Sequence, residues 1–347
     1  MPKRPTYRLL LLAGLLTAAC GKVQTDPSGP DLWNPLTGDV PVRFASSVKA
    51  PETKTTAAYF GNGDQIGVFG YYHDNSTWDG ETDADINIPD YMYDQCMTYD
   101  GSSAWAYSPI KYWPNETDVD LLSFWAYFPH GSDKLDFRNA GVATPFSNTS
   151  TGIPDVSLSG FDGSIDFMTS DLAKDYVYGT AAGTNPNVAV DGKVPLQFHH
   201  RLSAVSFKAR STTPESSITI TQLDLLYAYD TGVYSTPSGW DGIGNEKESL
   251  SILSSNLTLN AIDQAVGTTR YILPQALSHS GANAVAVRIS YTCDGVTYAS
   301  DLPLATTSIN VWEENKQYTY TFAITGGTIL FSATMEAWEP VYGVYYI

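Results

Sequence analysis

Side chains able to do chemistry are sparse in this sequence of 347 residues, and their spacing limits what they can do. Five histidines occur, His73, His130, His199, His200 and His279. Neighbouring residues of a strand project to opposite faces, so adjacent His199 and His200 do not share one metal ion. One of them is expected to pack inside and the other to face out. The run "DADIN" alternates oxygen donors at Asp83, Asp85 and Asn87, but it lacks the turn glycine and bidentate glutamate of a calcium loop and reads as a polar loop. Asp118 and Asp120 are paired acids, yet glycoside hydrolysis is defined by separation in space, which spacing along a chain does not supply. A serine nucleophile would favour a G-x-S-x-G turn, and none is present. Trp78, Trp105, Trp113 and Trp125 offer flat faces on which sugars can stack, although core packing is the expected use of most of them. The chain therefore reads as a non-enzyme that needs no cofactor and no metal.

One side chain is expected to be modified, and that is Cys20. It ends the stretch "LLLLAGLLTAAC", preceded by the positive residues Lys3, Arg4 and Arg8. The apolar run from Leu9 to Ala19 covers eleven positions, too few for a bilayer-spanning helix of about 20. With Thr17, Ala18 and Ala19 as small residues before the cysteine, residues 1–19 have signal-peptide architecture. A cysteine directly after such residues resembles a bacterial lipobox, in which the sulfur is acylated with chains such as palmitate. Thr17 departs from the aliphatic residue usual there, and Leu16 is the nearest one. An ordinary cleaved secretory signal is the other reading. Each buried methylene of an acyl chain contributes about 0.8 kcal/mol, so two or three chains anchor a protein firmly to the outer membrane. Residues 20–39, rich in Gly, Pro, Asp and Thr, read as a flexible tether.

The elements that follow must be mostly strands. Charged residues make up only 16% of the chain while Tyr numbers 23, Gly 28 and Pro 20, a balance that favours strands and turns over helices. The net charge of −18 falls to about −21 once the leader is gone, which makes nucleic acid an unsuitable partner. No long run of one sign occurs, so the charge reads as a solvated acidic surface.

Structure is expected to begin near Val40, where "VPVRFASSV" puts Val40, Val42 and Phe44 on one face and Pro41 at an edge. "DLLSFWAYFP", from Asp120 to Pro129, is almost continuously apolar, as in a strand covered on both faces. In "PLQFHHRLSAVSFKA" the apolar parity changes from Leu196 and Phe198 to Val205 and Phe207, which requires a bulge or bend. "SITITQLDLLYAY" changes parity in the same way across Gln222. Asp294-Gly295 suits a two-residue type I′ hairpin turn that pairs Cys293 with Val296 and Tyr291 with Tyr298. Cys293 then falls on an alternating apolar face and reads as a small buried hydrophobe, although a disulfide with Cys96 stays open. A chain of this length and pattern is expected to fold as two sandwiches, residues 40–194 and 195–347.

In this order, "FGNGDQIGVFGYY", "SFWAYFP", "IDFMTSD", "PLQFHHRLSAVSF", "YILPQ", "WEENKQYTYTFAI" and "ATMEAWE" resemble the fimbrillin family, the lipoprotein-derived subunits of type V pili of Bacteroidales with their tip and anchor proteins. The resemblance implies an all-β fold of two tandem transthyretin-like β-sandwich domains. It also implies a cell-surface location, lipid-anchored or in the fimbrium, and partners that are other fimbrial subunits, with a host protein or glycan as receptor. Assembly in such a family is by donor-strand exchange: a surface protease removes the first strand, and a neighbour's segment fills the groove. That is physically sound, because a missing strand leaves backbone N–H and C=O groups unpaired above an apolar groove.

The protease is arginine- or lysine-specific, so the positions that match are Arg43, Lys49 and Lys54, each of which also reads as an ordinary exposed basic residue. A tip or anchor subunit need not be cut. The C-terminal "EPVYGVYYI", with Val341, Gly343, Tyr345 and Ile347 on one face, serves either as a short donor segment or as the last edge strand of its own domain. The rival reading is a monomeric glycan-binding surface lipoprotein that uses the aromatic surplus.

Overall fold

The computed structural model of the chain describes residues 40–48, 60–74, 77–78, 89–101, 104–114, 120–137, 153–178, 187–189, 192–236, 238–278 and 283–338. Cys20, Lys49, Lys54, His279, the "DADIN" loop, Asp118 and the segment 339–347 lie outside them. The described residues contain strands and no helix, and hence none that could cross a membrane.

The strands come first as β1 (Arg43–Val48), β2 (Gln65–Asp74), β3 (Met92–Tyr99), β4 (Trp105–Ala106) and β5 (Asp120–Phe128). Next are β6 (Leu135–Asp136), β7 (Val156–Leu158), β8 (Met168–Ser170), β9 (Ala173–Tyr178), β10 (Asn187–Ala189) and β11 (Lys193–His200). The later half opens with β12 (Ser203–Ser211), β13 (Ile218–Leu226), β14 (Tyr229–Ser235) and β15 (Gly239–Glu246). Five short strands follow: β16 (Leu250–Ser251), β17 (Leu257–Thr258), β18 (Gln264–Ala265), β19 (Arg270–Ile272) and β20 (Gln275–Ala276). The last are β21 (Ala286–Cys293), β22 (Val296–Pro303), β23 (Val311–Trp312), β24 (Lys316–Ile324) and β25 (Ile329–Ala337).

A nine-stranded sheet carries the first half, in the order β1-β11-β8-β5-β2-β3-β4, with β9 joined through β5 and β10 through β9. Its central strands are apolar on both faces for a visible reason. Ile66, Val68, Leu122, Phe124 and Ala126 enter one core, while Phe69, Tyr71, Trp125 and Tyr127 enter another. The unbroken apolar run of β5 is the pattern a doubly covered strand must have.

Residues on either side of position 194 are consecutive positions of β11, which stays in this sheet to His200. The chain then changes sheet at Arg201 and Leu202, and this passage accounts for the change of parity between Phe198 and Val205. In the later half, sheets ordered β18-β12-β24-β25 and β16-β13-β21-β22 enclose a core that includes Val205, Phe207, Leu223, Tyr291 and Phe322. The second parity change is a true bulge, a register shift between Ile220 and Gln222 on β13 against β21. The hairpin pairs Cys293 with Val296 and Tyr291 with Tyr298. Asp294 and Gly295 both have positive φ, 49° and 84°, as a type I′ turn demands. Cys293 is buried and free, so it is not bonded to Cys96.

A third core lies where the halves meet. The hairpin β14–β15 from the later half pairs with β7 of the earlier one in a sheet ordered β15-β14-β7-β6. Phe167, Leu202, Tyr234, Leu273 and Trp338 are buried there together. Arg201 secures the crossing: Nη1 lies 2.6 Å from Glu314 Oε1, Nε donates to Thr169 Oγ1 at 2.8 Å, and the guanidinium sits 5.0 Å from the Tyr234 ring centroid. The backbone carbonyl of Arg201 accepts the indole N–H of Trp240 at 2.6 Å.

Candidate assembly interface

The first strand lies at the end of its sheet order. β1 is the terminal strand of its sheet and runs parallel to β11, with Arg43 opposite Lys193 and Val48 opposite Phe198. Alternation places Val42, fully buried, and Phe44, only 2% exposed, in the core, while Arg43 faces solvent. The Phe44 ring meets Phe124 edge-on at 5.1 Å and Tyr107 at 6.4 Å.

Its free side is clasped by the segment from Trp105 to Trp113. Val42 N donates to Lys111 O at 2.9 Å, and Trp113 N to Val40 O at 2.9 Å. Tyr107 OH donates to Val42 O at 2.7 Å, and Trp105 Nε1 to Ser46 Oγ at 3.0 Å. Burial pushes the Tyr107 hydroxyl up to about 12, so it stays a donor at neutral pH. At the start of β1, Arg43 N donates to Gly192 O at 2.9 Å, and Trp113 Nε1 donates to the same carbonyl at 3.2 Å. Position 192 must be glycine: its φ is +71°, and a Cβ there would lie 2.9 Å from Pro41 O.

Without β1, the β11 edge with Val194, Leu196 and Phe198 and the clasp with Trp105 and Tyr107 would flank an open apolar groove. An incoming strand could satisfy the backbone of β11 while its alternate side chains refill the places of Val42 and Phe44. The aromatic clasp was not legible as such in the sequence. The alternation of Trp105 and Tyr107 was the available signal, but it does not say which strand they reach.

The other side chains singled out in the sequence have structural partners. His200 is buried and its Nδ1 lies 2.7 Å from Asp166 Oδ2, whereas His199 is partly exposed with Nε2 3.0 Å from Asp171. That is the one-in, one-out arrangement expected of adjacent strand residues. His73 Nε2 lies 3.1 Å from Ser123 Oγ in a buried pair, and His130 lies 3.5 Å from Asp94. Among the described residues no cluster of His, Cys, Asp or Glu has the grouping of a metal site. Trp78, Trp105, Trp113 and Trp125 are all buried, so none offers a face to a sugar. Arg43 is the one candidate cleavage residue among the described ones.

The architecture is that of an all-β sandwich protein whose first strand is a clasped sheet edge. Comparison with known proteins gives this class a family: the fimbrillin-like family model matches residues 53–338, and the chain belongs to that family. It is a fimbrial structural protein of the cell surface, built to assemble with other fimbrial subunits. Among solved structures, it is similar to a fimbrial protein from Bacteroides vulgatus ATCC 8482, at 19% identity and a TM-score of 0.60, covering 85% of this chain and 99% of that one. A proposed cell adhesion protein from Bacteroides ovatus ATCC 8483 aligns at 14% identity and a TM-score of 0.51, over 89% of this chain and 100% of that one. Another, from Bacteroides uniformis ATCC 8492, aligns at 15% identity and a TM-score of 0.50, over 88% and 100%. These likenesses concern the fold. No curated protein matches.

Proposed function

We propose that this chain is a subunit of a type V pilus, exported as a lipoprotein acylated at Cys20 and joined to its neighbours by donor-strand exchange in the groove that β1 occupies. The observation that carries this reading is the position of β1: a six-residue terminal strand, inserted between β11 and the Trp105–Trp113 segment, and lying before the family match that begins at residue 53. Two sandwich units dividing at the Arg201–Leu202 crossing fit the sheet order.

Arg43 is a poor cleavage site while β1 is in place, because its amide is bonded and both neighbours are buried. A cut after it would also leave Phe44 in the groove. Lys49 and Lys54 follow the strand, and a cut at either releases β1 whole. Within this reading the chain serves as a stalk, tip or minor subunit, with a host protein or glycan as the receptor of a tip. Low-dose trypsin on the purified mature protein tests the reading. The expected result is loss of the N-terminal segment through residue 49 or 54, followed by SDS-resistant ladders or, for a tip subunit, capture of a supplied donor strand. A cut chain that neither polymerises nor binds any strand overturns it.

A further inference from the structure

We propose that the outer edge of β25 is a second association surface of this chain, which takes β25 of a second copy in antiparallel pairing about a twofold axis at Ala333. It is separate from the β1 groove and does not rest on strand exchange there.

Among the described residues, three strands of eight residues or more end their sheets: β15, β22 and β25. Such edges are commonly protected from other chains by bulges, charges or proline. β15 is protected, because its pairing with β14 shifts register between Thr231 and Val233, and Gly242 and Asn245 both have a φ of 59°. β22 carries Asp301, which holds Arg288 at 2.7 Å, and ends at Pro303. β25 has none of these devices. Its sequence ILFSATMEA contains one charge, Glu336, and no proline, and it pairs with β24 at nine successive positions without a shift. Leu330 and Met335 are apolar side chains on its surface, 65% and 48% exposed. Both ends are pinned, since Thr325 N donates to Thr328 O at 2.9 Å and Trp338 N to Asn315 O at 3.2 Å. The Trp338 ring also lies flat on His200, with centroids 3.8 Å apart and planes at 11°. The edge is therefore preorganised for a partner.

The backbone decides the register of that partner. Thr328 and Trp338 bond toward the β24 side, and by alternation so do Leu330, Ser332, Thr334 and Glu336. The N–H and C=O groups of Ile329, Phe331, Ala333, Met335 and Ala337 point the other way, to the free edge. A second antiparallel strand exchanges hydrogen bonds with these residues alone, so two copies of β25 must set odd positions opposite odd positions. Centring the pair on Ala333 does this over the whole strand. Ala333 meets the partner's Ala333, Phe331 the partner's Met335 and Ile329 the partner's Ala337, with about ten hydrogen bonds in all.

The side chains agree with this register. Phe331 and Met335 lie opposite the buried Phe322 and Tyr318 of β24, on the inner face of the sheet. The partner's Met335 then extends the core against Phe331 by a sulfur–aromatic contact. On the outer face Ser332 stands opposite the partner's Thr334 and Leu330 opposite the partner's Glu336, so no like charges are opposed. One patch serves both copies, as a closed twofold interface requires.

Sedimentation equilibrium of the uncut, unacylated mature chain over about 1–100 μM tests the proposal. The expected result is a reversible monomer–dimer equilibrium. Ala333→Pro deletes an N–H that points away from β24, so it spares the native ladder, and it is expected to weaken the dimer roughly 30-fold or more, the factor for two lost hydrogen bonds. If that variant fails to fold, as judged by far-UV circular dichroism, the exposed pair Ser332→Lys with Thr334→Lys decides. It sets lysines opposite one another and abolishes the dimer, and mixing it with a Ser332→Glu, Thr334→Glu chain restores association, because unlike charges then meet. A chain that stays monomeric throughout, as it does if residues 339–347 take this edge, overturns the proposal. So does a dimer indifferent to these substitutions, or lysine and glutamate variants that do not associate with each other.

Discussion

The indole N–H of Trp105 donates to Ser46 Oγ over 3.0 Å, and through this contact the two ends of the nine-stranded sheet meet. Trp105 belongs to β4, the last strand in the sheet order, and Ser46 to β1, the first. The first strand thus bridges two edges that would otherwise both stand open. An edge strand exposes unpaired backbone groups to other chains, so one inserted strand suppresses association at two places at once. Its removal exposes both, which is the change an assembly switch requires.

Phe44 is the side chain that holds the bridge. Truncating a fully packed phenylalanine costs about 3–5 kcal/mol, and here the loss falls on an element held only at its sides. Phe44→Ala is expected to raise the open population of β1 by at least about 100-fold. The check is the rate at which low-dose trypsin releases the N-terminal segment, read by mass spectrometry. An unchanged rate would mean that the Trp105–Trp113 clasp alone retains the strand.

The basic residues around β1 should differ in their response to protease. Arg43→Gln leaves the release of β1 unaltered, because Arg43 lies within the paired strand. The double variant Lys49→Gln with Lys54→Gln slows release at least tenfold, since the remaining candidate, Arg43, is held in the ladder opposite Lys193. Mapping the new N-terminus of each variant decides between them. A dominant product beginning at Phe44 would contradict this ordering.

Much of this fold was written in short-range pattern, and the remainder was not. The double covering of β5, the bulge before Gln222 and the Asp294-Gly295 hairpin each follow from side-chain parity or turn chemistry within a dozen residues. The parity change after Phe198 was equally visible. Parity alone does not distinguish a bulge from a change of sheet, and only the position of Ser203 opposite Ile272 and of Ala204 opposite Gln317 settles it. The pairing of β14 with β7 joins residues more than 70 positions apart, and the reach of Tyr107 to Val42 spans 65. Such contacts depend on how sheets stack, about which the local sequence carries no period. The partnership of His200 with Asp166 was hidden in the same way, although one of the two adjacent histidines was bound to face inward.

Gly67 marks a close approach at the centre of the first sheet. A Cβ built there would lie 2.1 Å from Tyr127 Cε1 and 2.7 Å from Asp94 Oδ1. Tyr127 cannot easily yield, because its ring is buried and its hydroxyl donates to Asp94 at 2.7 Å. Gly67→Ala should therefore destabilise by about 2–3 kcal/mol, the range of an overpacked core, although alanine is normally as good as glycine or better in a strand. Urea unfolding at neutral pH measures this. A midpoint equal to that of the parent chain would show that the strand can shift to admit the methyl group.

The buried tyrosines predict how stability responds to alkali. Burial pushes Tyr107 and Tyr320 up to about 12. It raises Tyr71, Tyr91 and Tyr127 well above their ordinary value, and at Tyr127 the Asp94 carboxylate adds to the effect. In the unfolded chain each ionises near 10, so above pH 10 the unfolded state has lost protons that the folded state still holds. Stability must then fall as pH rises, with a slope of up to about 1.4 kcal/mol per pH unit for each such tyrosine, until its folded-state value is reached, which for Tyr107 and Tyr320 is about 12. Below about pH 9 these groups are neutral in both states and contribute no slope. The expected result is a urea midpoint insensitive to these tyrosines from about pH 7 to 9 and declining steeply above 10, with the 295 nm tyrosinate signal rising together with unfolding. Tyr320→Phe removes one contributor and should make the decline shallower by one tyrosine's share. A midpoint that holds constant through pH 11 would show that these hydroxyls are solvated in the native state.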